Sequence, residues 1–419
     1  MQENSRYAVG LDVGTTKVRC VVGHVEGAQA SPTIIGVGES TNSGMRKGTV
    51  VNLVNTASAI DSALEAAERM SGFQIQNATI SVNGSHIIGM SSKGVIAVGA
   101  NGHEITDEDL RRVEEAATVV QLPANREILE VTPRSYQLDG QDNIKDPIGM
   151  TGVRLEVDAH VITALGPHLK NLRKACEMTE TIPHATILAG LAAARAVVSD
   201  QQTENGVVLI DLGGTTTNIA VFEEGDLQHV AVLPVGSVNI TNDLAIGLKT
   251  DLDIAEAVKL EHASAMPSQR TDKKTTASVK VGDKTHTFDL EDIDMIVDAR
   301  LEEIFELINK ELKSIGRAAK LPGGAVLTGG GAQLKGLADY ARNALQISAR
   351  IGEAPEFAGV SENVHSPDWS TALGLMLIDL EGGAVGVHTV DRSTKSSKNS
   401  FDIGKVTGKI TEVFGKFRS

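Results

Sequence analysis

Two similar turns carry the residue types best suited to chemistry in this chain. The segments VGLDVGTTKVRCVVG and VVLIDLGGTTTNIAVF both place an aspartate and a turn of glycines and threonines between two apolar strands. The residues concerned are Asp12, Gly14, Thr15 and Thr16 in the first copy and Asp211, Gly213, Gly214, Thr215 and Thr216 in the second. Glycine lets a backbone approach a ligand closely, and the amides and hydroxyls of such turns can cradle phosphate.

The two aspartates suit a magnesium ion. Mg²⁺ prefers oxygen ligands and gives up its hydration reluctantly, so we expect Asp12 and Asp211 to hold it through water. A single turn of this kind is as typical of an ordinary hairpin as of a binding site. The repetition favours two β-hairpins whose turns face one shared ligand.

Further elements fit the same ligand. Lys17 follows the first turn and is expected to contact phosphate, the alternative being a solvated surface lysine. Glu256 and Lys259 stand three residues apart, and therefore on one face, of a predicted helix. Three consecutive glycines follow an apolar strand and would let the backbone approach a nucleotide base or ribose: Gly329, Gly330 and Gly331.

In this order, the two turns, the helix pair and the glycine run resemble the actin, Hsp70 and sugar-kinase superfamily. The resemblance implies an α/β, actin-like ATPase fold in which two related domains enclose a nucleotide cleft. ATP and Mg²⁺ would be the cofactors, and the residues named above would bind them.

Composition limits the possible functions. A length of 419 residues indicates two or more domains, and the net charge of −15 argues against non-specific binding to nucleic acid. The two cysteines, Cys20 and Cys176, provide no disulfide framework, which fits a reducing cytosol. No Walker A, G-x-G-x-x-G, H-E-x-x-H or G-x-S-x-G motif occurs, and no apolar run reaches the roughly 18 residues of a membrane span.

Hydrophobic periodicity predicts the remaining elements. Strands are expected at 6–25 and 33–40, and helices at 53–71, 167–178, 187–198, 239–262 and 289–316. ASVKVGDKTHTFDL predicts a hairpin that turns at Gly282 and Asp283. The insertion that separates the third strand from the first helix in actin and Hsp70 is missing, since only residues 41–52 join them. A different insertion, at 84–164, predicts strands around a helix from Thr106 to Val120, with Thr106 as its N-cap.

The C-terminal segment has a composition of its own. A Ser- and Lys-rich linker at 388–400 leads to FDIGKVTGKITEVFGKF, in which most apolar residues recur every three or four positions. These residues are Phe401, Ile403, Val406, Ile410, Val413, Phe414 and Phe417. Lysines such as Lys405 and Lys409 outnumber the acids on the polar side. Such a basic amphipathic helix suits the surface of an anionic membrane, and Lys409 is counted among the membrane-binding residues. The alternative is a helix that docks on its own protein, against which the long linker argues.

Together these features resemble the FtsA family, the bacterial actin homologues of cell division. ISVNGSHI, DLGGTTT and TGGGAQLKG fit that family, and the resemblance covers essentially the whole chain. It implies a scaffold that tethers FtsZ filaments to the cytoplasmic face of the cell membrane at the division septum. The same scaffold would form actin-like filaments with itself and help to recruit later division proteins.

The resemblance also implies where FtsZ binds. It places the C-terminal tail of FtsZ on the helix that begins near Ile293, with Arg300 and Glu303 at the contact. An acidic and apolar tail is a sensible partner for a partly exposed arginine. The alternative is an ordinary surface ion pair between Arg300 and Glu303.

The family pattern further implies a domain organisation, in which subdomain 1C replaces subdomain 1B of actin. The expected ranges are 1–83, 165–204 and 361–387 for subdomain 1A, 84–164 for subdomain 1C, 205–238 and 322–360 for subdomain 2A, 239–321 for subdomain 2B, 388–400 for a flexible linker and 401–417 for the amphipathic helix.

Hydrolysis of ATP is expected to be slow or absent, and no catalytic residue is assigned. Phosphoryl transfer needs a positioned nucleophile besides bound ATP and Mg²⁺. The stretch PHATILAGLAAARAV, where related proteins place a water-orienting residue, offers His184 but no carboxylate or amide. Two other members of the superfamily remain as alternatives: a pilus-assembly actin homologue of the PilM type and a sugar-kinase-type phosphotransferase.

Overall fold

The computed structural model describes residues 5–27, 31–99, 102–119, 122–269, 275–360 and 364–382. The predicted linker at 388–400 and the predicted amphipathic helix at 401–417 lie outside these ranges. Within them, no helix combines the length and the hydrophobicity needed to cross a membrane.

Strands, often several in succession, are interspersed with helices along the described residues. The strands are β1 Ser5–Val13, β2 Lys17–Glu26, β3 Thr33–Thr41, β4 Met45–Arg46, β5 Thr49–Val50, β6 Asn77–Val82, β7 Ile88–Ala97, β8 Arg126–Leu138, β9 Gln141–Ile144, β10 Arg154–Leu165, β11 Ile182–Leu188, β12 Val207–Leu212, β13 Thr217–Glu223, β14 Asp226–Leu233, β15 Thr276–Val281, β16 Lys284–Asp289, β17 Gly324–Thr328, β18 Ala349–Ile351 and β19 Ala358–Gly359. The helices are α1 Leu53–Ser71, α2 Asp107–Thr118, α3 Gly166–Glu177, α4 Ala189–Val197, α5 Asp200–Asn205, α6 Ser237–Gly247, α7 Leu252–His262, α8 Leu290–Ser314, α9 Leu337–Leu345 and α10 Ser370–Leu380.

The first aspartate turn lies at the centre of one sheet, whose strand order is β11-β6-β1-β2-β3-β19. Strands β1 and β2 form an antiparallel hairpin, and β6 and β11 continue the sheet in parallel. A Cβ atom on Gly10 would overlap Ala372 O, so α10 packs directly against β1. Cys20 is fully buried in β2, as expected of a small core residue. We call this sheet, with α1, α3, α4 and α10, the first lobe.

The second aspartate turn closes the β12–β13 hairpin in another sheet, of order β14-β13-β12-β17-β18. Helix α8 is amphipathic, and residues such as Ile293, Val297 and Leu301 recur on its buried side at spacings of three or four. The predicted hairpin is present as β15–β16, with Gly282 in its turn at a φ of 60°. We call this sheet, with α6 to α9 and the β15–β16 hairpin, the second lobe.

The residues between β6 and α3 of the first lobe form a third sheet, of order β7-β10-β8-β9, and the helix α2, which packs against it. Thr106 caps α2 as predicted, and Asp109 completes a capping box with it. The sheet and the helix share an apolar core that includes Val113, Tyr136 and Val157. We call this module the insert.

Two of the predicted helices are wrong in part. The single helix expected at 239–262 is two helices, because Lys249 adopts a φ of 53° and the chain then restarts at Asp251 in an extended conformation. The helix expected at 187–198 begins at Ala189, because the β-branched stretch before it pairs in parallel with β6 as strand β11. Helix α5, which was not predicted, begins with a capping box between Ser199 and Gln202.

Candidate functional site

The two aspartate turns face each other across the space between the lobes. A Cβ atom on Gly214 would lie 2.7 Å from Thr16 Cγ2, so the tips of the two hairpins are in contact. Asn83, which follows β6, donates from Nδ2 to Thr216 Oγ1 at 3.0 Å and links the first lobe to the second turn. The sequence predicted facing turns, and the structure brings them together.

The short segment that replaces the missing insertion supports the first turn. Asn42 Nδ2 donates to Gly14 O at 2.8 Å, and Gly48 N donates to Thr15 Oγ1 at 3.1 Å. These bonds hold both the backbone and the hydroxyl of the turn in place. The first turn is therefore held in place by contacts with this segment.

Asp12 lies at the end of β1, at the bottom of this space. Its Oδ1 accepts a hydrogen bond from Ser81 Oγ of β6 at 2.7 Å. The protein packed around the carboxylate raises its pKa, although its side chain keeps some contact with solvent through the opening. The Ser81 bond and the Arg19 cation act in the opposite direction and favour the ionised form.

Asp211 occupies the equivalent position at the end of β12 and is buried. Its Oδ2 accepts a hydrogen bond from Asn218 Nδ2 at 2.8 Å. Burial raises the pKa of Asp211 to about 6, the Asn218 bond opposes that rise, and the negative charge of Asp12 adds to it. The two carboxylates are thus close enough to repel each other, which is an arrangement that a cation would relieve.

A cavity of about 540 Å³ opens above the two aspartates. Every residue predicted to bind the nucleotide or its metal lines this cavity except Thr215. The predicted residues in the lining are Asp12, Gly14, Thr15, Thr16, Lys17, Asp211, Gly213, Gly214, Thr216, Glu256, Lys259, Gly329, Gly330 and Gly331. The Thr215 hydroxyl is instead buried, without a hydrogen-bond partner among the described residues.

The glycine run forms the wall beside Asp211. Gly329 has a φ of 82° and a ψ of 172°, a combination essentially confined to glycine. A Cβ atom at this position would overlap Asp211 Oδ1, so the close approach also requires glycine. Gly329 N donates to Pro367 O at 3.0 Å, which joins the run to the segment before α10.

Glu256 and Lys259 lie on one face of α7, as predicted. Lys259 Nζ is 2.7 Å from Glu256 Oε2 and donates to Thr241 Oγ1 at 2.9 Å. The Thr241 hydroxyl also donates to Glu256. Glu256, Lys259 and Leu260 of this helix line the cavity on the side of the second lobe.

Arg19 is the main functional candidate that the sequence reasoning missed. It lies on β2 opposite Asp12 in the hairpin register, is only 8% exposed and lines the cavity. Its Nε donates to Glu39 Oε2 at 2.8 Å, and its Nη2 donates to Asp368. The hairpin register was the available signal, because residues directly opposite across an antiparallel pair share a face.

Lys17 also lines the cavity, but its ammonium group is engaged elsewhere. Lys17 Nζ is 2.5 Å from Glu39 Oε1, and the lysine side chain is 42% exposed. The buried guanidinium of Arg19 is the more firmly positioned of the two cations. Contact between Lys17 and phosphate stays a prediction.

His184, the one polar candidate of β11 for orienting a water, does not line the cavity. The imidazole Nε2 pairs with Asp379 of α10 and lies 3.2 Å from Thr79 Oγ1. The hydrogen bond that His184 donates to Asp379 raises the pKa of His184. Farther along the chain, Ala189 at the start of α4 lines the cavity instead.

Arg300 lies on α8, apart from the cavity. It forms a bidentate pair with Asp243 of α6, with Nη2 2.9 Å from Asp243 Oδ1, and it also pairs with Glu303. Its side chain is 19% exposed. The ion pair weighed as the alternative for Arg300 is therefore present, with Asp243 as an additional partner that the sequence did not predict.

Comparison with known proteins agrees with this architecture. A sequence profile of cell division protein FtsA matches residues 208–374, and a profile of the SHS2 domain inserted in FtsA matches residues 84–163. FtsA of Pseudomonas aeruginosa is 33% identical over 397 residues, which cover 94% of both chains. FtsA of Bacillus subtilis is 39% identical over 377 residues, which cover 90% of this chain and 84% of that protein.

Solved structures share the fold at much lower identity. The PilM–PilN type IV pilus biogenesis complex matches with a TM-score of 0.65 and 17% identity over 89% of this chain and 98% of that chain. MreB5 of Spiroplasma citri bound to ADP matches with a TM-score of 0.54 and 13% identity over 90% of this chain and 97% of that chain. The fold is therefore actin-like. At identities of 33% and 39% over 90% or more of its length, the chain belongs to the FtsA cell division protein family, with an inserted SHS2 domain.

Proposed function

We propose that this FtsA-family protein binds ATP in the cavity between its lobes and serves as a scaffold of cell division. The observation that carries the proposal is the meeting of two Asp–Gly–Thr hairpins around one cavity, with a glycine run beside them. Facing turns of this kind present amides and hydroxyls to phosphate groups. MreB5 of Spiroplasma citri, which shares the fold, has been solved with ADP and with AMPPNP.

The donor set fits a hydrated magnesium ion. Among the described residues, no group of three or more His, Cys, Asp or Glu side chains is arranged to hold a metal. Asp12 and Asp211 are two nearby carboxylates, which suits a Mg²⁺ that keeps several waters and also binds phosphate. When bound, the ion would neutralise charge on the outer phosphates, and the two aspartates would hold its waters.

We infer that hydrolysis is slow. The residue that α4 presents to the cavity is Ala189, and His184 is committed to Asp379. Neither can orient an attacking water, and Asp12 and Asp211 would be occupied with the ion. Nucleotide would then act mainly as a ligand that holds the two lobes together.

Family membership and the C-terminal sequence support the scaffold role. We propose that the segment 401–417 binds the cytoplasmic face of the cell membrane at the division septum, through the apolar and basic residues predicted above. The second lobe would capture the C-terminal tail of FtsZ at Arg300, and the protein would associate with itself in actin-like filaments. Later division proteins would be recruited to this assembly.

The ion pairs of Arg300 define how the FtsZ contact can be tested. An acidic peptide must compete with Asp243 and Glu303 for the guanidinium. Arg300→Gln should therefore weaken binding of an FtsZ C-terminal peptide, and Asp243→Asn should strengthen it by freeing the arginine. A fluorescence anisotropy titration measures both, with the exposed Asp61→Asn variant of the first lobe as control. Equal loss in both test variants would mean that the pair is structural.

Calorimetric titration with Mg·ATP tests the nucleotide site. Asp12→Asn should weaken binding at least tenfold, about 1.4 kcal/mol, because it removes one of the two carboxylates below the cavity. Asp61→Asn, which changes an exposed aspartate on α1, is the matched control and should bind as the wild type does. Unchanged affinity in Asp12→Asn would overturn the assignment of the site.

A further inference from the structure

An arginine joins the insert to the second lobe. Arg134 of β8 donates from Nε to Leu227 O at 3.3 Å and from Nη2 to Gln228 O, both on β14. Gln228 is the extra residue of a β-bulge, since Val221 pairs with His229 and Phe222 pairs with Leu227. The arginine therefore binds backbone carbonyls at an irregular point of the strand.

The strand that Arg134 reaches is the outermost strand of its sheet. Outer strands leave backbone groups without a partner strand, and proteins commonly cover them. Here the cover comes from a module whose chain connections belong to the other lobe, because the insert leaves the first lobe after β6 and returns to it at α3. The contact thus joins the two lobes outside the cavity.

A lysine makes a second connection. Lys145, just after β9 of the insert, pairs with the carboxylate of Asp226 and donates to Glu224 O at 3.3 Å. Asp226 is the first residue of β14 and is buried. The insert therefore holds the beginning of β14 at two points.

The packing between the two modules is close. A Cβ atom on Gly89 of β7 would lie 2.8 Å from Val230 Cγ2 of β14 and would overlap His160 Nε2 of β10. His160 is 1% exposed and accepts from Arg134 Nη2 at 2.7 Å through Nδ1. Burial, reinforced by the Arg134 cation, lowers the pKa of His160 to about 3, so the imidazole stays neutral and able to accept.

The far end of β14 leads directly to the cavity. After Leu233 the chain turns, and Ser237 N donates to Gly213 O at 2.9 Å while Val238 N donates to Gly214 O at 2.7 Å. Ser237 and Val238 also line the cavity. One strand therefore connects the insert contact with the second aspartate turn. A strand is a rigid element that can transmit a displacement.

We propose that the insert bridges the two lobes through Arg134, and we call this bridge the strap. We further propose that a nucleotide bound in the cavity displaces β14 and, through β14, the insert. This coupling rests on the proposed binding of nucleotide. A ligand that moves the second aspartate turn also moves β14. Because Arg134 and Lys145 bind β14, the insert then moves with it. By thermodynamic reciprocity, the factor by which nucleotide shifts the equilibrium of these contacts is also the factor by which breaking the contacts changes the affinity for nucleotide.

Hydrogen–deuterium exchange on the full chain, with and without saturating Mg·ATP, tests the strap. The test variant is Arg134→Met, and the matched control is Arg111→Met, which removes an exposed arginine of α2 paired with Glu108. Without nucleotide, Arg134→Met should speed exchange at least threefold in residues 226–233, whereas Arg111→Met should not. With Mg·ATP, exchange in residues 126–138 should change at least twofold in the wild type and in Arg111→Met, but not in Arg134→Met.

Two results would overturn the coupling. One is a wild type in which residues 207–217 respond to Mg·ATP while the insert does not. The other is an Arg134→Met protein in which the insert still responds as in the wild type. If Arg134→Met fails to fold by circular dichroism, Gly89→Ala replaces it, because its added methyl group separates the same surfaces and leaves the arginine in place.

The same experiment separates the strap from the nucleotide proposal. No response to Mg·ATP in residues 207–217 of the wild type, together with no heat of binding, would overturn nucleotide binding and the coupling with it. The comparison of Arg134→Met with Arg111→Met in the absence of nucleotide would still decide whether the insert holds β14.

Discussion

Replacing Gly329 by alanine tests whether the glycine run is shaped by its contact with Asp211. The residue has a φ of 82° and a ψ of 172°, and an alanine there costs about 1–3 kcal/mol in backbone strain. The added Cβ atom would also overlap Asp211 Oδ1 and lie 2.7 Å from Leu212 O. Forcing an extra carbon into such a packed position typically costs a further ~1–3 kcal/mol.

The two terms are not independent, because a shift of the backbone relieves part of each. We therefore expect Gly329→Ala to lose about 2–4 kcal/mol in the free energy of unfolding. The matched control is Gly72→Ala, at a φ of 67° with no heavy atom within 4 Å of the added carbon. That variant has the strain without the overlap and should lose only about 1–2 kcal/mol.

Urea unfolding measures the stability of both variants, and calorimetric titration measures their affinity for Mg·ATP. Because the alanine displaces the Asp211 carboxylate, we expect Gly329→Ala to bind ATP at least tenfold more weakly, which is about 1.4 kcal/mol. Gly72→Ala should bind ATP as the wild type does. A Gly329→Ala protein that matches Gly72→Ala in stability and the wild type in affinity would refute the reasoning.

Three further predictions concern other parts of the chain. Arg19→Gln should weaken Mg·ATP binding by about 1.5–3 kcal/mol, the contribution of a hydrogen bond to a charged group. Lys17→Gln should weaken it less, because Arg19 is buried and Lys17 is half exposed. Calorimetry that ranks the two variants in the opposite order would contradict this. Because the hydrogen bond to Asp379 raises the pKa of His184, the stabilisation it provides is complete below the unfolded-state pKa and is lost as the pH rises through the raised value. The deficit of His184→Gln in urea unfolding should therefore be larger at about pH 5.5 than at about pH 8.5, and an equal deficit would count against the ion pair. Phe414→Glu should abolish sedimentation with anionic liposomes at low and high salt while Mg·ATP binding persists, and a variant that still sediments would place the anchor elsewhere.

The sequence predicted the centre of the site because each of its elements has a signature within a short stretch of sequence. An aspartate at the end of an apolar strand, followed by glycines and threonines, specifies a hairpin turn within about 15 residues of chain, and the repetition favoured two turns that face each other. The α2 cap was predictable for the same reason, since Thr106 and Asp109 are three residues apart.

Contacts between distant segments were not predictable in this way. The partners of Arg19 and Arg300, Asp368 and Asp243, are far away in the chain and belong to no motif. Thr215 looked equivalent to its neighbours in the turn, yet its hydroxyl is buried and the residue does not line the cavity. The break at Lys249 was missed because the apolar pattern continues through it, whereas the backbone does not.

The lobes are held at their present separation by contacts both at the edge of the cavity and outside it. Asn83 bonds to Thr216 at the tips of the hairpins, and Gly329 N bonds to Pro367 O on the way to α10. On the outside, Arg134 holds β14 from the insert. A ligand that must touch both turns binds best at one separation, so we expect each of these contacts to act on affinity through the separation of the lobes. We therefore expect the affinity for nucleotide to depend on the whole two-lobed body, so that a bound nucleotide would alter the surfaces that the insert and the second lobe present to partners.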